Sequence, residues 1–179
     1  MDIKDPEKLA EDAKKFYDQG KYLEAAEGFD LARNSYEEQN KPSQAAEMAN
    51  NQSVALLQAG EAELSLEAVT GTEEVFKQSG DDVKVAMAIG NRAAALEAMS
   101  RLDEAEAAYQ KSADILKSSG ESDMHAHVMK SLSALQIRRG KQLEGIINMK
   151  SSLEGVENPN LKQRFLKKLL KLPFKFLGR

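Results

Sequence analysis

Residues that end helices recur every 20 positions along the chain, and the segments between them have the apolar spacing of amphipathic helices. Positions 20, 60, 100 and 140 hold Gly, Gly, Ser and Gly, and positions 40, 80, 120 and 160 hold Asn, Gly, Gly and Asn. Gly and Asn end helices because they tolerate the left-handed conformation after a last turn, and Ser100 is the weak member of the set. The pattern predicts helix hairpins that repeat every 40 residues, over about residues 6–40, 41–80, 81–120 and 121–158.

Large and small side chains recur in the same 40-residue register. The large columns are Phe16, Leu56 and Leu96 in the first helices, broken by Gln136 with Ile137 as the expected replacement, and Phe29, Val69, Tyr109 and Met149 in the second helices. The small columns are Ala13, Ser53, Ala93 and Ser133; Ala25, Ser65, Ala105 and Gly145; and Ala32, Thr72, Ser112 and Ser152. Helices approach to about 8–10 Å only where the side chains at the contact are small. The small columns therefore predict helix contacts, and the large columns are expected to fill the grooves between hairpins.

The residues of the first hairpin resemble the tetratricopeptide repeat. Its small residues are Ala13, Ala25 and Ala32, its aromatic residues are Phe16, Tyr22 and Phe29, and Gly20 ends its first helix. The resemblance covers roughly residues 6–155, and its 40-residue unit is similar to the longer repeat of kinesin light chains. It implies an all-α fold, a right-handed α-solenoid of four helix hairpins with helices of about 17 residues. The spacing of residues 161–172 adds a C-terminal amphipathic helix after the array.

The resemblance also implies a concave groove, lined by the first helices, that holds a peptide or a helix of a protein partner. The predicted groove residues, chosen at helical spacing on one face, are Lys14, Tyr17, Asn50, Asn51, Val54, Asn91, Ala94, Glu97, Lys130, Ala134 and Arg138. We expect a non-enzymatic interaction scaffold or adaptor.

Asn51 and Asn91 occupy the same repeat position, and the Asn amide offers both a donor and an acceptor to the backbone of an extended peptide. Proteins that this chain resembles use such Asn residues in that way. Bonds to a neighbouring helix or to water are the alternative. Lys14, Lys130 and Arg138 are candidates to hold a carboxylate, and their alternative is a solvated surface.

Composition and charge narrow the function classes. The chain has no Cys, which excludes disulfides and thiolate metal sites and suits a cytoplasmic location. Residues 161–179 carry seven of the 25 basic side chains and no acid, which leaves 18 basic against 29 acidic side chains elsewhere. This excess of acidic side chains outside residues 161–179 does not favour nucleic-acid binding. His125 and His127 are two residues apart without a third ligand at metal spacing, so we expect no metal, no cofactor and no catalytic residue.

The segment 159–179 follows the array, which we assign to residues 1–158, and is basic and amphipathic. At about 100° per residue its Leu and Phe side chains fall on one half of a helix and nearly all its cations on the other, until Pro173 interrupts the helix. The predicted docking residues are Phe165, Lys167, Lys168, Lys171, Phe174, Lys175 and Phe176.

Three roles stay open for this segment from the sequence. It caps the exposed end of the array, it docks on anionic lipid at the inner membrane surface as a peripheral membrane contact, or it binds a protein partner. A homo-oligomer, with the segment inserted into the groove of a second copy, is a further form of the last role.

Overall fold

The structure, a computed structural model, describes residues 5–154 and, in addition, residues 161, 164, 167, 168 and 170. Over these residues the chain is all α-helical, and successive helices form antiparallel pairs. The helices are α1 (Pro6–Asp18), α2 (Tyr22–Glu38), α3 (Pro42–Ala59), α4 (Ala62–Val69), α5 (Thr72–Gln78), α6 (Asp82–Ala98), α7 (Leu102–Ser118), α8 (Ser122–Arg138) and α9 (Gln142–Glu154).

The predicted stops are confirmed at seven positions, and position 160 lies outside the described residues. Each of the seven has a positive φ: Gly20 (75°), Asn40 (54°), Gly60 (88°), Gly80 (71°), Ser100 (60°), Gly120 (77°) and Gly140 (78°). At every one of them the following N–H bonds back to a carbonyl five residues earlier, as Lys21 does to Phe16 at 2.9 Å and Arg101 to Leu96 at 2.9 Å. This is the hydrogen bond that closes a helix around a left-handed residue.

The small columns lie where the two helices of a hairpin touch, as predicted. The hydroxyls of Ser53 and Ser65 are 2.9 Å apart, and Ser133 donates to the Gly145 carbonyl at 2.6 Å. In the first and third hairpins the same positions are Ala residues with 0% exposure. A larger side chain would push these helices apart, since protein interiors have no spare volume to absorb it.

The large columns are buried with two departures from the expected pattern. Leu56, Leu96, Phe29, Val69 and Tyr109 are all less than 9% exposed, whereas Phe16 is 37% exposed and Met149 is half-buried.

Gln136, where the first column breaks, is itself buried at 6% exposure, and Ile137 is 38% exposed. The expectation that Ile137 replaces the missing apolar residue is therefore wrong. The Gln136 amide is buried because it is hydrogen-bonded on both sides, by donation to Glu106 at 3.1 Å and acceptance from Asn148 at 2.8 Å.

The second helix of the second hairpin is two helices, where the repeat predicts one helix of about 17 residues. Thr70 is extended (ψ 129°) and Gly71 has φ 88°, so α4 ends before Thr70 and α5 begins after Gly71. The hydroxyl of Thr70 donates to the Leu66 carbonyl at 2.7 Å, and that of Thr72 to the Val69 carbonyl at 2.8 Å. The two hydroxyls thus donate hydrogen bonds to backbone carbonyls at the break. Thr72 remains buried in its predicted column.

The hairpins stack as an open array. The principal contacts join helices that are neighbours along the chain, and α3 also contacts α6, which makes the first helices of adjacent hairpins neighbours. Within residues 5–154, α1 and α9 share no principal contact. This arrangement is that of an α-solenoid rather than a closed bundle.

Candidate partner-binding site

The predicted groove residues differ widely in exposure. Lys14, Lys130, Ala134 and Arg138 are exposed; Tyr17, Asn51, Val54, Asn91, Ala94 and Glu97 are half-buried; Asn50 is buried. Tyr17 packs edge-on against Tyr22 with ring centroids 5.3 Å apart, within the first hairpin. Only some of the set therefore has the exposure that a groove requires.

Asn50 departs from its prediction. It is 5% exposed, and its amide oxygen lies 3.2 Å from the Thr72 hydroxyl. Thr72 belongs to the second helix of the same hairpin, so this position of the first helix faces inward. A peptide on the surface has no access to the Asn50 side chain.

A cavity of about 250 Å³ opens between α6 and α8, with α7 as its floor. It brings together the predicted residues Asn91 and Ala94, while Asn51, Lys14 and Lys130 do not line it. Its other lining residues, which sequence reasoning missed, are Ala86, Met87, Gly90, Tyr109, Ser112, Leu116, Met124, His127, Val128 and Ser131. The lining is mostly apolar, and no Lys, Arg, Asp or Glu belongs to it.

Gly90, which lines the cavity, stands where the second hairpin has Asn50. The Asn50 side chain bonds to Thr72 in the second hairpin, whereas Gly90 has no side chain and lies close to Ser112, the residue at the position of Thr72. A Cβ on Gly90 would lie 3.3 Å from the Ser112 hydroxyl and 3.9 Å from a Val128 methyl. A glycine inside a predicted helix is the sequence signal that could have indicated this space.

A hydrogen-bonded group lies at one end of the cavity. The Tyr109 hydroxyl donates to Glu97 at 2.8 Å, and the Arg138 guanidinium donates to the other oxygen of the same carboxylate. Burial raises the pKa of Tyr109 to about 12, so its hydroxyl keeps its proton near neutral pH. Because Arg138 already pairs with Glu97, the carboxylate of a bound peptide would have to compete with Glu97 for Arg138.

The histidines and the potential metal ligands do not form a metal site among the described residues. Among them, no group of three His, Cys, Asp or Glu side chains could hold a metal ion. His127 is exposed at the rim of the cavity. His125 is half-buried, and burial lowers its pKa.

Most of the predicted docking residues of the C-terminal segment, namely Phe165, Lys171, Phe174, Lys175 and Phe176, lie outside the described residues. Lys168 is exposed, and the half-buried Lys167 donates from Nζ to the Leu153 carbonyl at 3.4 Å. Leu161 is 85% exposed, whereas Leu170 is half-buried. None of the helices in the described part has the length and apolar character needed to span a bilayer.

Paired helices, left-handed stops and contacts between neighbours together define an α-solenoid with a tetratricopeptide-like fold. The fold is similar to that in the crystal structure of BtubC (BKLC) from P. vanneervenii, with a TM-score of 0.73. The match covers 87% of this chain and 69% of that chain at 16% sequence identity. Comparison of the sequence with protein-family models and with curated proteins gives no significant match.

Proposed function

We propose that this chain is a non-enzymatic interaction protein, and that it holds an extended segment of a protein partner along the face formed by its first helices. The observation that carries the proposal is the apolar cavity between α6 and α8, which contains Asn91 and Ala94. A solenoid of this kind offers protein partners a continuous surface. The cavity adds to that surface a binding pocket of defined size and polarity.

The cavity suits one large uncharged side chain. Its volume of about 250 Å³ lies below the 300–1,000 Å³ or so of pockets that enclose a whole small ligand. Burying a side chain such as Leu or Phe contributes about 1.5–3 kcal/mol. That is too little for stable association by itself, since binding must also offset lost translational freedom. Further contacts along the same face are therefore part of the proposal.

Asn91 is the residue that would hold the partner's backbone. It is half-buried at the cavity, where its amide can donate to a carbonyl and accept from an N–H of an extended peptide. Asn51 holds the same position one hairpin earlier and is also half-buried. Two such amides, one per hairpin, would fix the direction and register of the bound segment.

The test is selection of a random linear peptide library on the full chain, followed by affinity measurement for one selected peptide. Ala94→Leu fills the cavity, and Ala107→Leu makes the same change at an exposed position of α7. We expect Ala94→Leu to weaken binding at least tenfold and Ala107→Leu to leave it unchanged. Equal affinities of the two variants would show that the cavity is not the site.

A second candidate function is docking on an anionic lipid surface through the segment 159–179. It is favoured by an exposed apolar side chain beside an exposed cation. Leu161 (85% exposed) and the exposed Lys168 are seven residues apart, which places them about 20° apart on a helix, where its apolar and basic faces meet. Each basic residue near such a surface contributes about 1 kcal/mol. Vesicle flotation, described in the Discussion, tests this candidate.

A further inference from the structure

The cavity between α6 and α8 is suited to an aromatic ring. Met87, which is 42% exposed, and the half-buried Met124 stand on its two walls. Methionine side chains are flexible and make favourable sulfur contacts with ring edges. Leu116 and Ala86 contribute to the rest of the apolar lining. The chemistry of the lining therefore calls for an apolar occupant without charge.

The chain itself contains such a group in a segment that the fold has not used. Phe174 and Phe176 follow Pro173, at which the predicted helix of the C-terminal segment is interrupted. A helix that covers the end of the array does not need apolar side chains beyond its own last turn. The two rings therefore need another explanation.

This segment starts within reach of the cavity. Successive helices pair antiparallel, and only residues 139–141 separate α8 from α9, so the end of α9 near Leu153 lies beside the first half of α8. Met124, His127 and Val128, which line the cavity, belong to that half.

Lys167 contacts the Leu153 carbonyl. In the predicted helix, residues 168–172 advance about 7 Å, and residues 173–176 add about 13 Å when extended. A helix with its side chains is only about 10–12 Å across.

Charge favours the same placement. Asp82 and Asp123 are exposed in the first turns of α6 and α8, the two helices that form the walls of the cavity, and the exposed Glu121 directly precedes α8. The segment 171–179 carries Lys171, Lys175 and Arg179 and no acidic residue. Opposite charges around an apolar contact steer and orient the two parts.

We infer that the segment 173–179 binds back into the cavity between α6 and α8 of its own chain, with the ring of Phe174 or Phe176 between Met87 and Met124. This inference rests on the proposed function, because the segment would occupy the site that the partner needs. A partner peptide then binds only by displacing it, which makes the C-terminal segment an internal competitor.

The chain contains no Trp, so a single introduced Trp reports on its own surroundings. In the full chain, Phe174→Trp and Phe176→Trp test the two rings, and Leu161→Trp provides an exposed reference in the same segment. For at least one test position we expect blue-shifted emission and several-fold weaker quenching by acrylamide than for the reference. Adding Ala94→Leu should shift that emission to the reference value, while adding Ala107→Leu should not.

Three results would overturn the inference. The first is reference-like emission from both test positions. The second is a blue shift that survives Ala94→Leu, because the ring would then be buried elsewhere. The third is a blue shift that fades on dilution, since that behaviour belongs to a contact between two copies.

The affinity of a library-selected peptide separates this inference from the proposed function. With Phe174→Ser and Phe176→Ser together, we expect that affinity to rise several-fold because the competitor is gone. If peptide binding depends on Ala94 but the double variant changes nothing, the self-occupied cavity is wrong and the proposed function stands. If Ala94→Leu releases the reporter but no peptide is captured, the inference stands and the proposed function fails.

Discussion

Gln136 donates from its side-chain amide to Glu106 at 3.1 Å, and this bond joins the first helix of the fourth hairpin to the second helix of the third. Glu106 also accepts from Lys141 at 2.8 Å and forms an ion pair with Arg139. The carboxylate is half-buried, with 18% of its side chain exposed. A half-buried carboxylate with three donors stabilises the fold, because removing its charge would leave these donors poorly paired.

We predict that Glu106→Gln lowers the free energy of unfolding by about 1–3 kcal/mol at neutral pH, since bonds to a charged group are the stronger kind. Thermal or urea unfolding measures the change. Glu144→Gln removes a carboxylate from an exposed position of α9 and serves as the matched control. Equal stability of the two variants would show that the cluster around Glu106 contributes nothing.

The same carboxylate predicts a pH dependence. Burial by itself raises the pKa of Glu106, but hydrogen bonds from Lys141 and Gln136 outweigh burial and bring the pKa below its ordinary value of 4.5. A lowered pKa means that the folded chain holds the charged form more tightly than the unfolded chain does.

The stabilisation from Glu106 is therefore complete above about pH 4.5 and is lost as the pH falls through the lower, folded-state pKa. We expect Glu106→Gln to flatten the dependence of stability on pH in that acidic range, measured by urea unfolding at several pH values. A slope equal to that of the parent would contradict the assignment.

The periodic parts of this fold were predictable because their causes are local or repeated. A left-handed helix end such as that at Gly60 depends on one residue. Small residues such as Ser53 and Ser65 recur because the two helices of a hairpin must approach each other closely there. Gln136 was not predictable, because its partners Glu106 and Asn148 lie on two other helices and are polar without periodic pattern.

The candidate site was predicted only in part for a similar reason. Asn91 and Ala94 follow from the repeat register, but the opposite wall comes from α8 and its side chains are not fixed by α6. The break between α4 and α5 was missed because Thr72 and its neighbours also fit a continuous helix. Asn50 was misplaced because an Asn on a helix face gives no sign of whether it bonds inward or outward.

We predict that Ser100→Gly stabilises the chain by about 0.5–1 kcal/mol, because Ser100 adopts φ 60°, a conformation that glycine reaches without steric cost. Gly120→Ser makes the reverse change at φ 77°, where an added Cβ meets nothing within 4 Å. That variant should lose a similar amount by backbone strain alone. Thermal unfolding of both measures the effect, and a stabilising Gly120→Ser would refute the argument.

We predict that Asn91→Ala weakens a library-selected peptide about threefold to tenfold, which corresponds to the loss of one net hydrogen bond. Asn51→Ala should weaken it less, because Asn51 does not line the cavity. The double variant Asn51→Ala with Asn91→Ala should weaken binding by about the product of the two factors while leaving the melting temperature nearly unchanged. A double variant that binds the peptide as tightly as the parent would remove both amides from the binding site.

Finally, we predict that the full chain floats with vesicles that contain anionic lipid and stays in solution with neutral ones, if the segment 159–179 docks on lipid. Lys162, Lys167, Lys168, Lys171 and Lys175 supply the attraction, at about 1 kcal/mol each. Replacing all five with Gln should abolish flotation, as should about 0.5 M salt, since screening shortens the range of the attraction. Circular dichroism of the variant checks that its helicity is unchanged.

A chain that ends at Asn160 separates the roles of the segment further. Loss of lipid binding with an intact, cooperative melt supports the lipid contact, whereas loss of solubility or of a cooperative melt shows that the segment caps the array.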